Sequence, residues 1–530
     1  MKRVFTSILS LLLMGQLFAG GIVTNSNQSA MYPRLLARDA VISIDNVYFN
    51  PAGLSFLPND GFYLSINNQT LGQTKTITSD YEWLNNNSYE GKISAPIFPG
   101  LYVAYKMNDF TFSAGFNPIG GGGGGVYNKG LPSFEYGISD LKPALTAAGL
   151  PVESYSMDVN FEGTAAYFGY QANVSYKVTD QLSVALGGRF VSAKESYKGY
   201  LKNTNINMLD GSTSPASAIF TSFADTFRPG LAGLNDMVTG GAGAYTLAQA
   251  EGAGVIDAAT RAGLEGGLDA LGVTDPSALT VEQAQQYFQG AVTQYDNTAT
   301  MLGDQEADYE KTATGFTPII SIDYKLNDQF NFSFKYEHNT TLEFTNKTAK
   351  DLIIGYEDDG ITPITQFPDG EKSNLDIPGQ IVVGATYHPI EKLMLSTGYH
   401  MFLDKNANWT GKEDDLDGNS WEFAIGAEYD INDMFIVSGS WLRTNSGVKE
   451  SYQSDLSYSL PSSTFGGGFA VNINPKIQLN VGGSYTMYTE GERNFNYESS
   501  ALGASIPVKE TYDKDVWIVA VGLNFNFGAE

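Results

Sequence analysis

Alternation of apolar and polar residues with a period of two is the feature that most constrains how this chain can fold. The alternating segments are joined by six tight polar turns, YKMNDF, YKVTDQL, YKLNDQF, YHPIEKL, YDINDMF and VNINPKI. Between these turns the connections are longer and rich in Asn, Asp, Gly and Ser. A period of two places successive side chains on opposite faces of a strand. Short turns at one rim and long loops at the other are typical of an outer-membrane β-barrel.

The pattern recurs in fourteen segments, an even number, as bacterial single-chain barrels require. The segments are 61–74, 96–107, 109–119, 161–178, 181–202, 313–326, 329–346, 375–389, 392–409, 420–431, 433–446, 463–474, 476–492 and 514–528. In the last one, Trp517, Val519 and Val521 share one face, whereas Ala520 and Gly522 share the other. A soluble β-sandwich would alternate similarly but would not explain the alternating short and long connections. The sequence therefore predicts an all-β fold, a 14-stranded antiparallel transmembrane β-barrel over residues 61–530.

The N-terminus is typical of a secretory signal. A basic start, MKR, precedes an apolar run over residues 8–18, and the small residues AGG follow. This order predicts that residues 1–20 form a signal peptide. The chain has no cysteine, which argues against a disulfide-stapled scaffold. Its net charge of −27 disfavours nucleic acid as a partner, because phosphates would be repelled.

Two regions lack the strand pattern. Residues 21–60 precede the first strand, and we expect them to fold inside the lumen as a hatch, or plug. Residues 203–312 separate the fifth and sixth strands and contain helix-like pieces, one of which begins with Thr280 and Gln283 at capping-box spacing. This predicts a long extracellular loop containing helices. Its apolar residues are expected to form a core, with an apolar landing surface for a ligand as the alternative. These residues are Phe220, Phe223, Phe227, Leu231, Leu234 and Phe288.

The stretch QSAMYPRLLARDAVISIDNVYFNPAGLSFL, residues 28–57, resembles the N-terminal hatch of the FadL family of outer-membrane long-chain fatty acid transporters. That family includes relatives that import aromatic hydrocarbons. The resemblance extends to the leader, the hatch motif Asn50, Pro51 and Ala52, the fourteen strands and the stretch LDIPGQIVVGATYHPIEKLMLSTGYH, residues 375–400. It implies passive, ligand-gated uptake of hydrophobic molecules across the bacterial outer membrane, without enzymatic activity.

The third strand runs into six consecutive glycines, Gly120 to Gly125. In the FadL family the third strand is kinked inward, which opens a gap through which an apolar substrate leaves sideways into the bilayer. Glycine permits departures from strand geometry, and Pro118 removes a ladder donor. The resemblance therefore makes Pro118, Gly120, Gly121, Gly122 and Gly123 candidates for a lateral opening. The alternative is a flexible start of an extracellular loop.

A fatty acid carrier needs a cation for the ligand carboxylate. Alternation places Arg189 and Lys335 on the lumenal face, so both are candidate carboxylate-binding residues. The alternative is a lumenal ion-pair network with the acids of neighbouring strands, namely Glu337, Glu422 or Glu428. In the hatch, Arg34 and Asp39 are expected to tether the plug to the wall.

The three histidines, His338, His388 and His400, do not pair at metal-ligand spacing. We therefore predict neither a metal site nor a cofactor. The expected partners are a long-chain fatty acid or other hydrophobic small molecule, outer-membrane lipid and lipopolysaccharide, with the protein as a monomer. The alternative function is a structural or adhesive barrel that uses the 203–312 loop as an interaction surface. The sequence leaves open whether the substrate is a fatty acid or an aromatic hydrocarbon.

Overall fold

The computed structural model describes residues 29–528, so the predicted signal peptide lies outside the described residues. Within that range an antiparallel sheet closes on itself, because the first strand pairs with the last, with Tyr63 opposite Asn526. The sheet contains 18 segments, and all but one of them belong to the fourteen wall strands. Three wall strands are interrupted, and the short segment Thr213–Pro215 pairs only with the outer end of the fifth strand. The predicted 14-stranded antiparallel barrel is confirmed.

We number the wall strands β1 to β14. Their bounds are β1 Gly61–Ser79, β2 Ser88–Met107, β3 Phe110–Tyr127, β4 Val152–Lys177, β5 Leu182–Met208, β6 Gln305–Lys325, β7 Phe330–Glu337 with Glu343–Lys350, β8 Lys372–Asn374 with Gln380–Ile390, β9 Leu393–Phe402, β10 Trp421–Asp430, β11 Phe435–Asn445, β12 Ser462–Asn474, β13 Ile477–Tyr488 with Gly491–Ser499 and β14 Ala504–Asn526. A separate hairpin pairs Ile353–Tyr356 with Pro363–Thr365.

Several strands extend further outward than the sequence predicts. β3 does not end at the glycine run but continues through it to Tyr127, which corrects the predicted end at residue 119. β5 continues to Met208 and β6 begins at Gln305, so the insertion outside the wall covers 209–304 rather than 203–312. At the outer ends of β5 and β6 the outward face is charged, so the apolar-outside alternation ends although the backbone pairing continues.

An apolar belt surrounds the barrel, and its upper edge is visible on β5 and β6. Leu186, Phe190, Phe316 and Ile320 are exposed on the outer face. Immediately above them the outward residues are ion-paired across the two strands. These pairs are Lys194–Glu310, Lys198–Asp308 and Lys202–Glu306. The change from apolar to charged marks where the belt ends.

The helices lie in the N-terminal segment and in the outer loops. Their bounds are α1 Met31–Arg34, α2 Pro132–Ser139, α3 Leu141–Ala147, α4 Ala216–Thr239, α5 Leu247–Gly252, α6 Ala258–Ala270 and α7 Val281–Met301. Short 3₁₀ turns occupy Ile44–Val47, Pro51–Phe56, Pro276–Ala278, Asp404–Asn406, Glu413–Asp415 and Glu450–Tyr452. From Ser29 to Gly528, none of the helices has the length and apolar character needed to span a bilayer.

The insertion over 209–304 folds around its own core. α7 begins with the predicted capping box, in which Thr280 and Gln283 each bond the other's backbone N–H. Phe220, Leu234 and Phe288 are buried in a cluster formed largely by α4, α6 and α7. The core interpretation of these apolar residues is therefore confirmed.

The N-terminal segment, residues 29–57, lies inside the barrel. Leu35, Leu36 and Phe49 are fully buried, and the segment contacts strands on several sides of the wall. Val47, Phe49 and Leu54 pack with lumenal side chains such as Tyr102 and Val191 in one cluster. The lumen is thus filled at this level by chain that precedes the first strand.

Candidate functional site

The wall holds the N-terminal segment mainly by donating hydrogen bonds to its backbone carbonyl oxygens. Gln171 Nε2 of β4 donates to Val47 O over 2.6 Å. Ser175 Oγ donates to Pro51 O and Ser183 Oγ to Ala52 O, each over 2.6 Å. Buried carbonyl groups need such partners, because an unpaired one costs free energy comparable to a lost hydrogen bond. These contacts fix the segment against β4 and β5.

The Asn50-Pro51-Ala52 motif lies at this contact. Asn50 Nδ2 donates to Asp323 Oδ2 of β6 over 2.6 Å, and Ala52 N donates to Ser321 Oγ over 3.0 Å. Pro51 occupies the first position of the 3₁₀ turn Pro51–Phe56, where its fixed φ and missing N–H are tolerated. Each residue of the motif therefore bonds the wall through its side chain or its backbone.

Charged side chains hold the opposite side of the segment. Arg34 Nη2 lies 2.8 Å from Glu428 Oε2 of β10. Asp39 lies 3.0 Å from His400 Nε2 of β9, and His400 Nδ1 lies 3.0 Å from Glu422 Oε2. Both predicted tethers thus reach the wall. Both ring nitrogens of His400 therefore contact carboxylates, so this histidine helps to hold the N-terminal segment against the wall.

Arg189, Lys335 and Glu337 form a buried charged hub against the N-terminal segment. Arg189 Nη1 and Nη2 lie 2.7 and 2.8 Å from the two oxygens of Glu337. Lys335 Nζ lies 2.7 Å from Glu337 Oε1 and donates to Tyr48 O over 3.1 Å. Both cations also lie over the Tyr48 ring, at 4.8 and 5.0 Å from its centroid. The two predicted carboxylate-binding residues therefore share an internal carboxylate, which is the alternative that the sequence left open.

β3 departs from regular strand geometry beside this hub. Asn117, Pro118, Ile119 and Gly120 are all buried, whereas regular alternation would expose every second residue. A Cβ added at Gly169 of β4 would lie 2.8 Å from Ile119 Cγ2 and 2.9 Å from Arg189 Cδ. Ile119 and Arg189 therefore cover the same glycine from the lumenal side. The kinked part of β3 and the charged hub are neighbours.

Pairing between β2 and β3 is interrupted at the same level. Ser94 lies opposite Gly124 and Leu101 opposite Phe116, but the residues between them, 95–100 and 117–123, do not pair across this seam. We call this stretch the β2–β3 gap. If the register at Leu101 continued, Pro99 would face Pro118, and neither proline has an N–H to donate. The gap is thus encoded in part by proline on both strands.

The candidate lateral-opening residues have a defined conformation. Gly120 pairs with Tyr167 and Gly123 with Ala165 of β4, so the interpretation of the run as a flexible loop start is wrong. The β3–β4 register shifts between Pro118 and Gly120 and again between Gly120 and Gly123. Gly121 has φ +84°, and a Cβ there would lie 2.2 Å from Ala165 O. Glycine at this position permits the shift. Gly122 lies within β3, between Gly121 and Gly123.

Sequence reasoning missed two lumenal lysines. Lys75 of β1 and Lys514 of β14 are direct cross-strand partners. Lys75 shares its strand face with the buried Ile77, and Lys514 shares its face with the buried Tyr512. Strand parity could have found Lys514, whereas Lys75 lies one residue beyond the predicted end of the first strand.

Neither protein-family models nor curated protein sequences match this chain. Solved structures match its fold. A FadL homologue from Pseudomonas aeruginosa is 10% identical with a TM-score of 0.58, over 96% of this chain and 100% of that one. The toluene transporter TodX from Pseudomonas putida is 14% identical with a TM-score of 0.50, again over 96% and 100%.

These comparisons define the class of fold. The chain has the barrel fold of FadL-type transporters, and the resemblance found in the sequence is confirmed at the level of the fold. A closed barrel of this fold with an apolar belt is the architecture of a multi-pass protein of the bacterial outer membrane.

Proposed function

We propose that this protein is a passive, ligand-gated channel for uptake of hydrophobic molecules across the outer membrane. Long-chain fatty acids are the substrate class to test first, and toluene-like hydrocarbons are the second, since the similar structures include a toluene transporter. The observation that carries the proposal is the β2–β3 gap beside the charged hub. Ligand would leave through this gap into the bilayer.

The border of the gap suits an apolar ligand. Its edge on β2 is formed by Ile97, Phe98 and Pro99, and its edge on β3 by Pro118 and Ile119. Backbone groups left unpaired in lipid are costly, so an interruption of this kind persists only where it is locally satisfied or lines a passage.

Side chains of β1 form hydrogen bonds with part of the β2 backbone at the gap. Phe98 N donates to Asn68 Oδ1 over 3.0 Å, and Pro96 O accepts from Thr70 Oγ1 over 2.9 Å. The β2 edge therefore stays ordered without β3, which supports an interruption of the wall that the N-terminal segment can gate.

The N-terminal segment supplies the gate in this proposal. A Cβ added at Gly115 of β3 would lie 2.9 Å from Val47 Cγ1, so the segment contacts β3 just below the kink. Val47 O is also held by Gln171, which in turn accepts from Arg189. A ligand that displaces Ile119 would thus act on the segment and on the charged hub together.

The setting of the barrel belongs to the proposal as well. We place the protein in the membrane as a monomer, with its ion-paired outer rim among the headgroups of lipopolysaccharide. Arg189 and Lys335 would bind a ligand carboxylate only if Glu337 gave up its place between them.

The test bridges the gap covalently. The chain has no cysteine, so Phe98→Cys with Ile119→Cys introduces the only thiols, at positions that continued pairing would place opposite each other. A short bis-methanethiosulfonate linker joins them, and dithiothreitol releases them. Leu101→Cys with Phe116→Cys, which are paired at the edge of the gap, is the matched control.

The assay is uptake of radiolabelled fatty acid and of radiolabelled toluene by cells that express each variant. We expect linkage across Phe98 and Ile119 to stop uptake and reduction to restore it, with little effect in the control. Unchanged uptake with the linker in place would refute lateral exit. Absence of uptake of both ligands by the parent chain would refute the transport function and favour the adhesive barrel.

A further inference from the structure

The buried lumenal cations of this barrel are consistently paired with carboxylates. Arg34 contacts Glu428, Lys311 contacts Glu195, and the charged hub joins Arg189 and Lys335 to Glu337. Burying a charge without a partner is costly, which explains the rule.

Lys75 and Lys514 break this rule. Within residues 29–528, neither ammonium group forms an ion pair or a hydrogen bond with a side chain, although both side chains are only partly exposed. Asp513 and Asp515 flank Lys514 in sequence, so strand alternation directs them to the opposite face. Like charges directly opposite each other across two strands destabilise a sheet. An anion would stabilise two facing ammonium groups of this kind, and the described chain does not supply one.

Aromatic rings border the two lysines. Lys75 Nζ lies 5.3 Å and Lys514 Nζ 5.8 Å from the centroid of the Tyr458 ring, and Lys514 Nζ lies 4.3 Å from that of Tyr488. Tyr458 is fixed by the hydrogen bond from its Oη to Asp513 O, over 2.8 Å. The rings offer apolar surface for the methylene groups that adjoin a charged headgroup.

The pair lies on the lumenal face, between the N-terminal segment and the extracellular helix α2. Lower on β1, Gln69 Nε2 donates to Ser29 O at the top of the N-terminal segment. Higher on β1, Ser79 Oγ bonds Tyr136 Oη of the extracellular helix α2. At a rise of about 3.3 Å per residue, Lys75 lies about 20 Å along the strand from the first contact and about 13 Å from the second. A ligand entering from outside would therefore meet these lysines before it reaches the segment.

We propose that Lys75 and Lys514 form a binding site for the anionic headgroup of an amphiphile, with one carboxylate oxygen for each ammonium group. This inference rests on the proposed uptake function and assigns its ligand a charge. It adds an outer site to the one that Arg189 and Lys335 would form if Glu337 were displaced.

The test compares two ligands of equal chain length, a radiolabelled saturated long-chain fatty acid and the corresponding alcohol. Equilibrium binding is measured on the purified full chain in a non-competing detergent. Lys75→Met with Lys514→Met should weaken fatty acid binding about tenfold or more, because hydrogen bonds to charged groups are lost. Alcohol binding should stay unchanged. The control is Lys92→Met, which removes an exposed lysine of β2.

Lys75→Glu guards against a folding artefact. The new carboxylate would pair with Lys514, so the barrel should fold at least as well while fatty acid affinity falls. Equal affinity of the parent for acid and alcohol, or full acid affinity in Lys75→Glu, would overturn the anionic site and leave uptake of apolar molecules standing. No binding of either ligand by the parent would instead count against the transport function itself.

Discussion

Replacing Glu337 by glutamine removes the one carboxylate that Arg189 and Lys335 share. Glu337 accepts three hydrogen bonds from these cations, over 2.7 to 2.8 Å, and all three residues are buried. Glutamine keeps the size of the side chain and one acceptor oxygen but loses the charge. Two cations would then remain in the lumen without a carboxylate partner.

The expected cost follows from that arrangement. Breaking a buried ion pair by removing one partner destabilises a protein by about 3–5 kcal/mol, because an uncompensated charge stays buried. Changing all three residues together, as Arg189→Met, Lys335→Met and Glu337→Leu, should recover most of the loss, since an apolar replacement of a whole buried network is often neutral or stabilising.

Urea unfolding in lipid vesicles, followed by tryptophan fluorescence, measures this free energy. Glu310→Gln, in the exposed pair with Lys194, is the matched control and should leave the unfolding transition unchanged. If the hub can receive a ligand headgroup, a long-chain fatty acid should restore part of the stability of Glu337→Gln, and the alcohol should not. A free energy of unfolding for Glu337→Gln within about 0.5 kcal/mol of the parent would refute the buried-pair reasoning.

Three further results are expected. Gly121→Ala should impair barrel assembly in heat-modifiability gels because its Cβ would meet Ala165 O, whereas Gly149→Ala, also at positive φ but in open space, should not. Phe288→Ala should cost the insertion about 3–5 kcal/mol, seen as faster proteolysis of 209–304 with the barrel intact. Burial raises the pKa of Asp404 to about 6. The folded state therefore binds this proton more tightly than the unfolded state does. Below the unfolded pKa of about 3.9 the group contributes its full stability, and this contribution is lost as the pH rises through about 6. Asp404→Asn should flatten that pH dependence in urea titrations.

The fourteen strands could be predicted because alternation is imposed by an apolar exterior and a polar lumen. Where the exterior becomes charged, as at Glu310 and Asp308 of β6, the alternation ends although the strand continues, so the outer boundary was underestimated. The position of Arg189 and Lys335 on the lumenal face followed from the same parity. Their partner could be named only as one of several acids, because parity does not give the stagger between strands.

The β2–β3 gap shows what a single strand cannot reveal. Pro118 signals a missing donor in β3, but the opposing Pro99 of β2 matters only once the register is known. Lys75 and Lys514 pose the same difficulty, since they are far apart in sequence and become neighbours only when β1 closes onto β14. Contacts that depend on closure lie beyond local pattern reasoning.

The wall docks the N-terminal segment largely through backbone oxygens, those of Val47, Tyr48, Pro51 and Ala52. A peptide oxygen is present whatever side chain the position carries. Most residues of the segment can therefore change without loss of the hydrogen bonds that hold it. Many wall positions can also change, provided that they keep a hydroxyl or an amide.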